Sequence, residues 1–298
     1  MNDGPEDSPP LLSVLCLTYN HAEFVAKALD SFLQQTTQFD FEIVVSDDAS
    51  SDATLAVVER YSERLAGKIQ ILRTPVNLGV TRNFRRAMKA CRGKYIALCE
   101  GDDFWRGRTK LQVQVDFLEA HPEFVMAYHD ATIVDSLGEH ETSQLPRSLL
   151  CDASSAELIA TRPVPTLTVC FRNLLGELPA EFDHAPALDL CLWSLLGWHG
   201  QGKYLPNIEP AGYRVHDRGV FSSQTNNNRH VMTAQSLMCL ARTYARQGQA
   251  EASTAVLLKA IRMAGVPLGP VGATKMLGLA LVRSAASVLK VAAHCLKR

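Results

Sequence analysis

The sequence predicts an α/β fold, a mostly parallel sheet flanked by helices, with an α-helical appendage toward its C-terminal end. Three observations carry this expectation. Short strand-like runs alternate with segments of helical spacing over the first hundred residues. Those runs are apolar along their length rather than alternating, as strands covered on both faces are. Beyond residue 230 only helical periodicity remains.

In chain order, 11–18 (LLSVLCLT) predicts a buried strand. Residues 22–36 follow with helical spacing, Phe24, Val25, Ala28, Leu29 and Phe32 sharing a face. FEIVVSDD predicts a second strand ending in acid, and SSDATLAVVERYSERLA a second helix with Ser and Asp near its start as caps. KIQILRT, GVTRNFRRAMKAC and KYIALCE continue as strand, helix and strand. In open sheets of this kind ligands sit beyond the carboxyl ends of the strands. Three polar clusters fall there: Thr18-Tyr19-Asn20, Asp47-Asp48 and Asp102-Asp103. After residue 110 the pattern is less regular. KLQVQVDFLEA is helical, and FVMAYHDATIVDSLGE predicts two strands meeting near Ser136-Leu137-Gly138. Residues 140–165 carry little pattern. PTLTVCFRN suggests a strand, ALDLCLWSLLGWHG a helix with Asp189 in its first turn, and GKYLPNIEPAGYRVH the end of a strand pair.

The acidic cluster at 100–103 poses a chemical question. The apolar run Tyr95 to Cys99 ends in Glu100-Gly101-Asp102-Asp103. Carboxylates so close repel one another and resist losing water. Either the segment is a solvated turn, or a cation sits there.

Composition bounds the rest. The chain has 298 residues, 47% of them hydrophobic, and a net charge of −1, so no global field points to nucleic acid. Its eight cysteines form no C-x-x-C pair, which suits a reducing, cytoplasmic setting and gives no zinc motif. Residues 1–10 (MNDGPEDSPP) are acidic and Pro-rich, a disordered lead rather than a signal peptide. No apolar stretch reaches the roughly 18 residues of a spanning helix. The expected organisation is the lead, an α/β domain over 11–222, a polar linker at 223–230 and a helical region over 231–298. In that region, HVMTAQSLMCLARTYARQGQAEASTAVLLKAIRMAG reads as two helices about a Gln-Gly turn and resembles a single tetratricopeptide-type hairpin. No acidic residue follows Glu251, while Lys259, Arg262, Lys275, Arg283, Lys290, Lys297 and Arg298 do. Two readings stand: peripheral contact of 267–298 with the anionic inner face of the plasma membrane, or a packed helical tail with a basic outer face.

Four blocks then resemble family-2 glycosyltransferases in order: LSVLCLTYNHAEFVAKALDSFLQQT, VVSDDASSDATLAVVERY, NLGVTRNFRRAMKACRGKYIALCEGDDFW and GKYLPNIEPAGYRVHDRGVFS. The resemblance covers roughly 11–222 and implies a GT-A-type, Rossmann-like fold. It implies an inverting, metal-dependent, hexosyltransferase-type enzyme. A nucleotide-sugar donor, UDP-linked by preference, would glycosylate a hydroxyl of a glycan or lipid-linked acceptor in cell-surface polysaccharide or glycan biosynthesis.

Residue by residue, the resemblance assigns Asp103 to a divalent metal, Mn²⁺ or Mg²⁺, and Asp102 to the ribose or the metal shell. Glu100 stands outside the core motif. Asp48 would bind the base, since a carboxylate suits the N3–H donor of uracil; its structural alternative is a helix cap. Thr18 and Tyr19 would pack on the nucleotide, with Asn20 as a helix cap. Arg82 would bind the diphosphate, with Arg85 and Arg86 on a solvated helix face. Asp189 would be the general base that deprotonates the acceptor; the alternative is a helix N-terminal charge. His216 would join the metal and favour Mn²⁺ over Mg²⁺ modestly, and Arg214 would face the diphosphate. Trp105 and Trp193 are expected as core or acceptor walls, and Thr166 and Thr168 on the acceptor side. The rivals are an inactive transferase-like scaffold and a glycoside hydrolase, which would leave Asp48 and Arg82 unexplained. A dinucleotide oxidoreductase is disfavoured because no G-x-G-x-x-G follows the first strand.

Overall fold

The computed structural model describes residues 9–64 and 67–267. Most of the N-terminal lead and the basic segment 268–298 lie outside them. The chain divides into two units: 1–178 with 193–216, and 179–192 with 217–298.

The first unit is built on a seven-stranded sheet, order β3-β2-β1-β4-β8-β5-β9. β1 (Leu12–Thr18) and β2 (Phe41–Asp47) are buried at every residue, including Glu42, whose carboxylate accepts the Ser13 hydroxyl at 2.7 Å, whereas β3 (Ile69–Leu72) is a half-exposed edge. β4 (Tyr95–Leu98) completes the parallel block. α1 (Val25–Leu33) lays Val25, Ala28, Leu29 and Phe32 on the core, a Val, Leu or Phe side chain being worth about 1.5–3 kcal/mol when fully buried. α2 (Thr54–Arg64), α3 (Val80–Ala90) and α4 (Lys110–Ala120) are the other crossover helices.

Past α4 the chain departs from the simple alternation. β5 (Phe124–Tyr128) and β6 (Ala131–Asp135) are separate strands, broken at His129-Asp130, and β6 turns into β7 (Gly138–Ser143). The turn closes where Asp135 accepts the Leu137 N–H at 2.8 Å. α5 (Ser155–Ile159) opens with a capping box between Ser154 and Glu157, so the poorly patterned region does hold a short helix. β8 (Cys170–Arg172) inserts antiparallel between β4 and β5. β9 (Gln201–Tyr204) and β10 (Ala211–Arg214) are not partners of each other, as the sequence suggested. β9 pairs with β5 in the large sheet, and β10 joins β6 and β7 in a second one. Gly212 on β10 lies against Phe104: a Cβ there would come within 2.3 Å of the ring.

The second unit holds a short 3-10 helix (Ala180–His184), the first residues of α6 (Leu188–Leu196), α7 (Asn226–Arg246) and a helix over 250–267, α8. Ser236 on α7 accepts the Ala187 N–H at 2.8 Å, and Ala234 packs with Ala264, Ile261 and Met263. α7 begins inside the segment read as a linker. Thr225 accepts the Asn228 N–H as N-cap, and burial of Ala234, Leu237, Leu240 and Tyr244 further along supports an Asn-rich first turn of low propensity. Among the described residues no helix is long and apolar enough to cross a membrane.

Candidate functional site

Parallel register sets the ends of β2, β1 and β4 side by side, with Thr18 opposite Asp47. The Thr18 hydroxyl donates to Asp47 at 2.9 Å, and Asp47 also accepts the backbone and hydroxyl of Ser50. Asn20 sits in the left-handed region (φ 57°) and does not cap α1; its side chain accepts the Ser51 N–H at 2.8 Å and ties the first turn to the second. Asp52, rather than Asp48, serves the start of α2, accepting the Thr54 N–H. Asp48 reaches the loop before α3 instead, accepting the N–H groups of Leu78 at 2.7 Å and Gly79 at 3.0 Å. Gly79 has φ +81°, a conformation that side chains rarely adopt. Tyr19 and Arg82 are exposed.

The acidic turn follows β4. The Glu100, Asp102 and Asp103 carboxylates each offer an oxygen within 4.8 Å of the others. The end of β10 meets them. Asp103 accepts the Arg214 N–H at 2.8 Å, and Arg214 Nε donates to the Asp102 carbonyl at 2.8 Å. His216 Nε2 lies 3.0 Å from Asp102 Oδ2, and His21 Nε2 lies 3.7 Å from the same oxygen. Burial alone would raise the Asp102 carboxyl, but the His216 hydrogen bond and the two imidazole charges outweigh it and hold it below its ordinary value. Asp103 goes the other way: burial, then the charges of Asp102 and Glu100, push it well up against the opposing Arg214 N–H. Asp102 Oδ1 and His216 Nδ1 are buried with no hydrogen-bond partner among the described residues. Hard oxygen donors, an imidazole and an orphaned carboxylate oxygen fit a divalent cation.

Thr18, Tyr19, Asp48, Asp102 and Asp103 thus share one sheet edge, and β10 brings His216 to it. His216 bonds Asp102, the neighbour of the acid it was expected to join. Asp189 lies in the second unit, half-buried in the first turn of α6. Arg86 is not on a solvated face. Its guanidinium donates to Ser46 Oγ at 2.9 Å, the Asp47 carbonyl at 2.8 Å and Asn83 at 2.8 Å, locking α3 to the end of β2. Trp105 and Trp193 are core residues, their indole N–H groups spent on the Leu167 and Val164 carbonyls. Thr168 is internal too, its hydroxyl donating to the Pro165 carbonyl. His21 was not singled out from sequence. Its signal was only its place, directly after Asn20 in the first strand-to-helix turn.

Comparisons with known proteins bear on the family and the fold. The family model for glycosyl transferase family 2 matches residues 13–173. The uncharacterized protein Rv1520 of Mycobacterium tuberculosis is 32% identical over 221 residues, 73% of this chain; the chain spans 62% of that relative's length. The putative teichuronic acid biosynthesis glycosyltransferase TuaG of Bacillus subtilis is 25% identical over 217 residues, 72% of this chain and 83% of that protein. Among solved structures, the mannosyltransferase PcManGT from Pyrobaculum calidifontis, in complex with GDP-Man and Mn²⁺, superposes with a TM-score of 0.62 at 21% identity, covering 97% of this chain and 81% of that one. Residues 1–349 of Staphylococcus aureus TarS superpose with a TM-score of 0.60 at 19% identity, covering 86% and 72%. The sheet order and flanking helices are those of GT-A-type transferases, and the chain belongs to glycosyl transferase family 2.

Proposed function

We propose that this protein transfers a hexosyl group from a UDP-sugar to a hydroxyl of a cell-surface glycan or its lipid-linked precursor, with inversion. The observation that carries the proposal is the acidic turn at the end of β4, with an imidazole on Asp102. Glu100, Asp102, Asp103 and His216 would hold Mn²⁺ or Mg²⁺. When bound, that ion neutralises charge on the departing diphosphate. Asp48 keeps lone pairs beyond the two N–H groups it accepts, and these suit the N3–H of uracil. Thr18 and Tyr19 flank the nucleotide, and Arg82 opens α3 toward the diphosphate. Asp189 takes the acceptor proton as its oxygen attacks the anomeric carbon from the face opposite the leaving group. Fixed strand ends supply the positioning on which much of the rate depends. Support for the donor comes from TarS, whose structures include UDP and UDP-GlcNAc complexes. Support for the acceptor comes from TuaG and from TarS, described as a poly(ribitol-phosphate) β-N-acetylglucosaminyltransferase.

Calorimetric titration with a panel of nucleoside diphosphates, with and without Mn²⁺, tests the reading. The expected outcome is UDP binding that depends on Mn²⁺ and disappears in Asp102→Ala. Absence of binding to every nucleotide in the panel would move the weight to a non-catalytic scaffold.

A further inference from the structure

We infer that His21 is a second imidazole of the metal seat and sets its preference among divalent cations. The inference rests on the proposed metal site and concerns a residue outside the motifs that define it. Three observations converge on the His21 ring. Its Nε2 stands 3.7 Å from Asp102 Oδ2, the same oxygen that His216 Nε2 approaches at 3.0 Å. Adjacent donors about 2.1 Å from one octahedral ion lie about 3 Å apart, so both spacings need little movement to become ligand spacings. The two rings meet edge to face, centroids 6.3 Å apart, so each presents its nitrogen to the carboxylate without blocking the other.

The backbone that carries the ring is also held in place. The His21 N–H donates to Thr54 Oγ1 at 2.7 Å, and its carbonyl accepts the N–H groups of Phe24 and Val25 at 2.9 Å each, at the entry to α1. The acidic turn makes room for it. A Cβ on Gly101 would lie 3.0 Å from His21 Nδ1 and 2.7 Å from Thr18 Cγ2. Glycine is therefore the residue that lets the ring lie against this turn. The orphaned Asp102 Oδ1 offers the ion a second carboxylate oxygen beside the Oδ2 that the imidazoles approach.

A hard oxygen shell serves Mg²⁺ and Mn²⁺ alike, but each imidazole favours the softer ion. Two imidazoles predict a stronger selectivity for Mn²⁺ than one alone would give. The test uses the full chain with UDP. Mn²⁺ and Mg²⁺ affinities are measured by titration for wild type and His21→Ala, and electron spin-echo modulation of bound Mn²⁺ reads coordinated nitrogen. The expected result is a loss of Mn²⁺ affinity of at least the roughly ten-fold that even outer-shell partners cost, with a smaller loss for Mg²⁺. Nitrogen modulation should weaken in His21→Ala and should persist in His216→Ala. Equal losses for both ions, or wild-type modulation from a single nitrogen, would overturn the inference and leave His21 as a support of the turn. That wild-type reading needs no variant to fold. Failure of wild type to bind either ion with UDP would instead sink the metal site itself.

Discussion

Lys110 carries an ammonium group into the core of the first unit. It is 1% exposed, donates to Gln114 Oε1 at 2.7 Å and stands 4.2 Å above the Trp105 ring. Burial pushes it down to about 8 from an ordinary 10.5. Below about pH 8 both folded and unfolded chains carry the proton, and the folded state bears the cost of the buried charge. Between about 8 and 10.5 the folded state binds fewer protons than the unfolded one, so this residue's contribution to stability rises with pH. Six buried cysteines oppose that trend: burial raises them, and the unfolded thiols ionise first, so stability falls through their unfolded value. Comparison with Lys110→Met cancels the cysteines remote from it; Cys99 and Cys170 are the two that feel its charge. Wild type should gain stability relative to the variant between about pH 7 and about pH 9.5 in urea unfolding; parallel curves would show that Lys110 titrates normally. Its burial was not legible in the sequence, because a lysine at the start of a helix is ordinarily solvated. Gln114 and Trp105 make a place for it, and only folding sets them around it.

At the scale of elements, three strand ends were legible before their partners were. The runs ending at Thr18, Asp47 and Cys99 are mostly apolar, and their acidic or polar termini follow directly in the chain. Arg86 was not legible. Helical periodicity in α3 places it among polar neighbours, but its acceptors at Ser46 and Asp47 come from a strand end some forty residues earlier. Hydrogen bonds to a charged donor are worth about 1.5–3 kcal/mol each, and removing one partner strands the others. Arg86→Ala should therefore lower stability by about 2–3 kcal/mol in a denaturant titration; a change under about 0.5 kcal/mol, ordinary for a surface position, would mean the guanidinium is solvated after all. β8 was harder still. Three residues long, it owes its antiparallel place between β4 and β5 to pairing on both sides, which a local pattern does not encode.

At the scale of the whole molecule, the acidic turn and the proposed base belong to different units of the chain. The ends of β1, β2 and β4, which carry the proposed donor site, belong to the first unit, and Asp189 belongs to the second. Asp189→Asn should therefore keep Mn²⁺-dependent UDP binding at wild-type affinity and lower transfer by about 10²–10⁴-fold, the usual worth of a positioned general base. Transfer at the wild-type rate would reassign the base. Among the described residues of the second unit, 226–246 and 250–267 are helical, and the Gln247-Gly248 turn lies between α7 and α8. α7 starts earlier than the Asn-rich sequence suggested, since packing further along the helix outweighs weak local propensity.

By itself the sequence determined the alternation of strands and helices, the burial of the first strands and the gathering of acids at one sheet edge. Each of these follows from local hydrophobic period and from the rule that parallel strands point the same way. Tertiary structure alone decided which acid meets which imidazole. β10 leaves the strand pairing that the sequence suggested, joins β6, and delivers Arg214 to Asp103 and His216 to Asp102 across more than a hundred residues. Strand order and side-chain direction are set by packing between distant segments, and no local period records them.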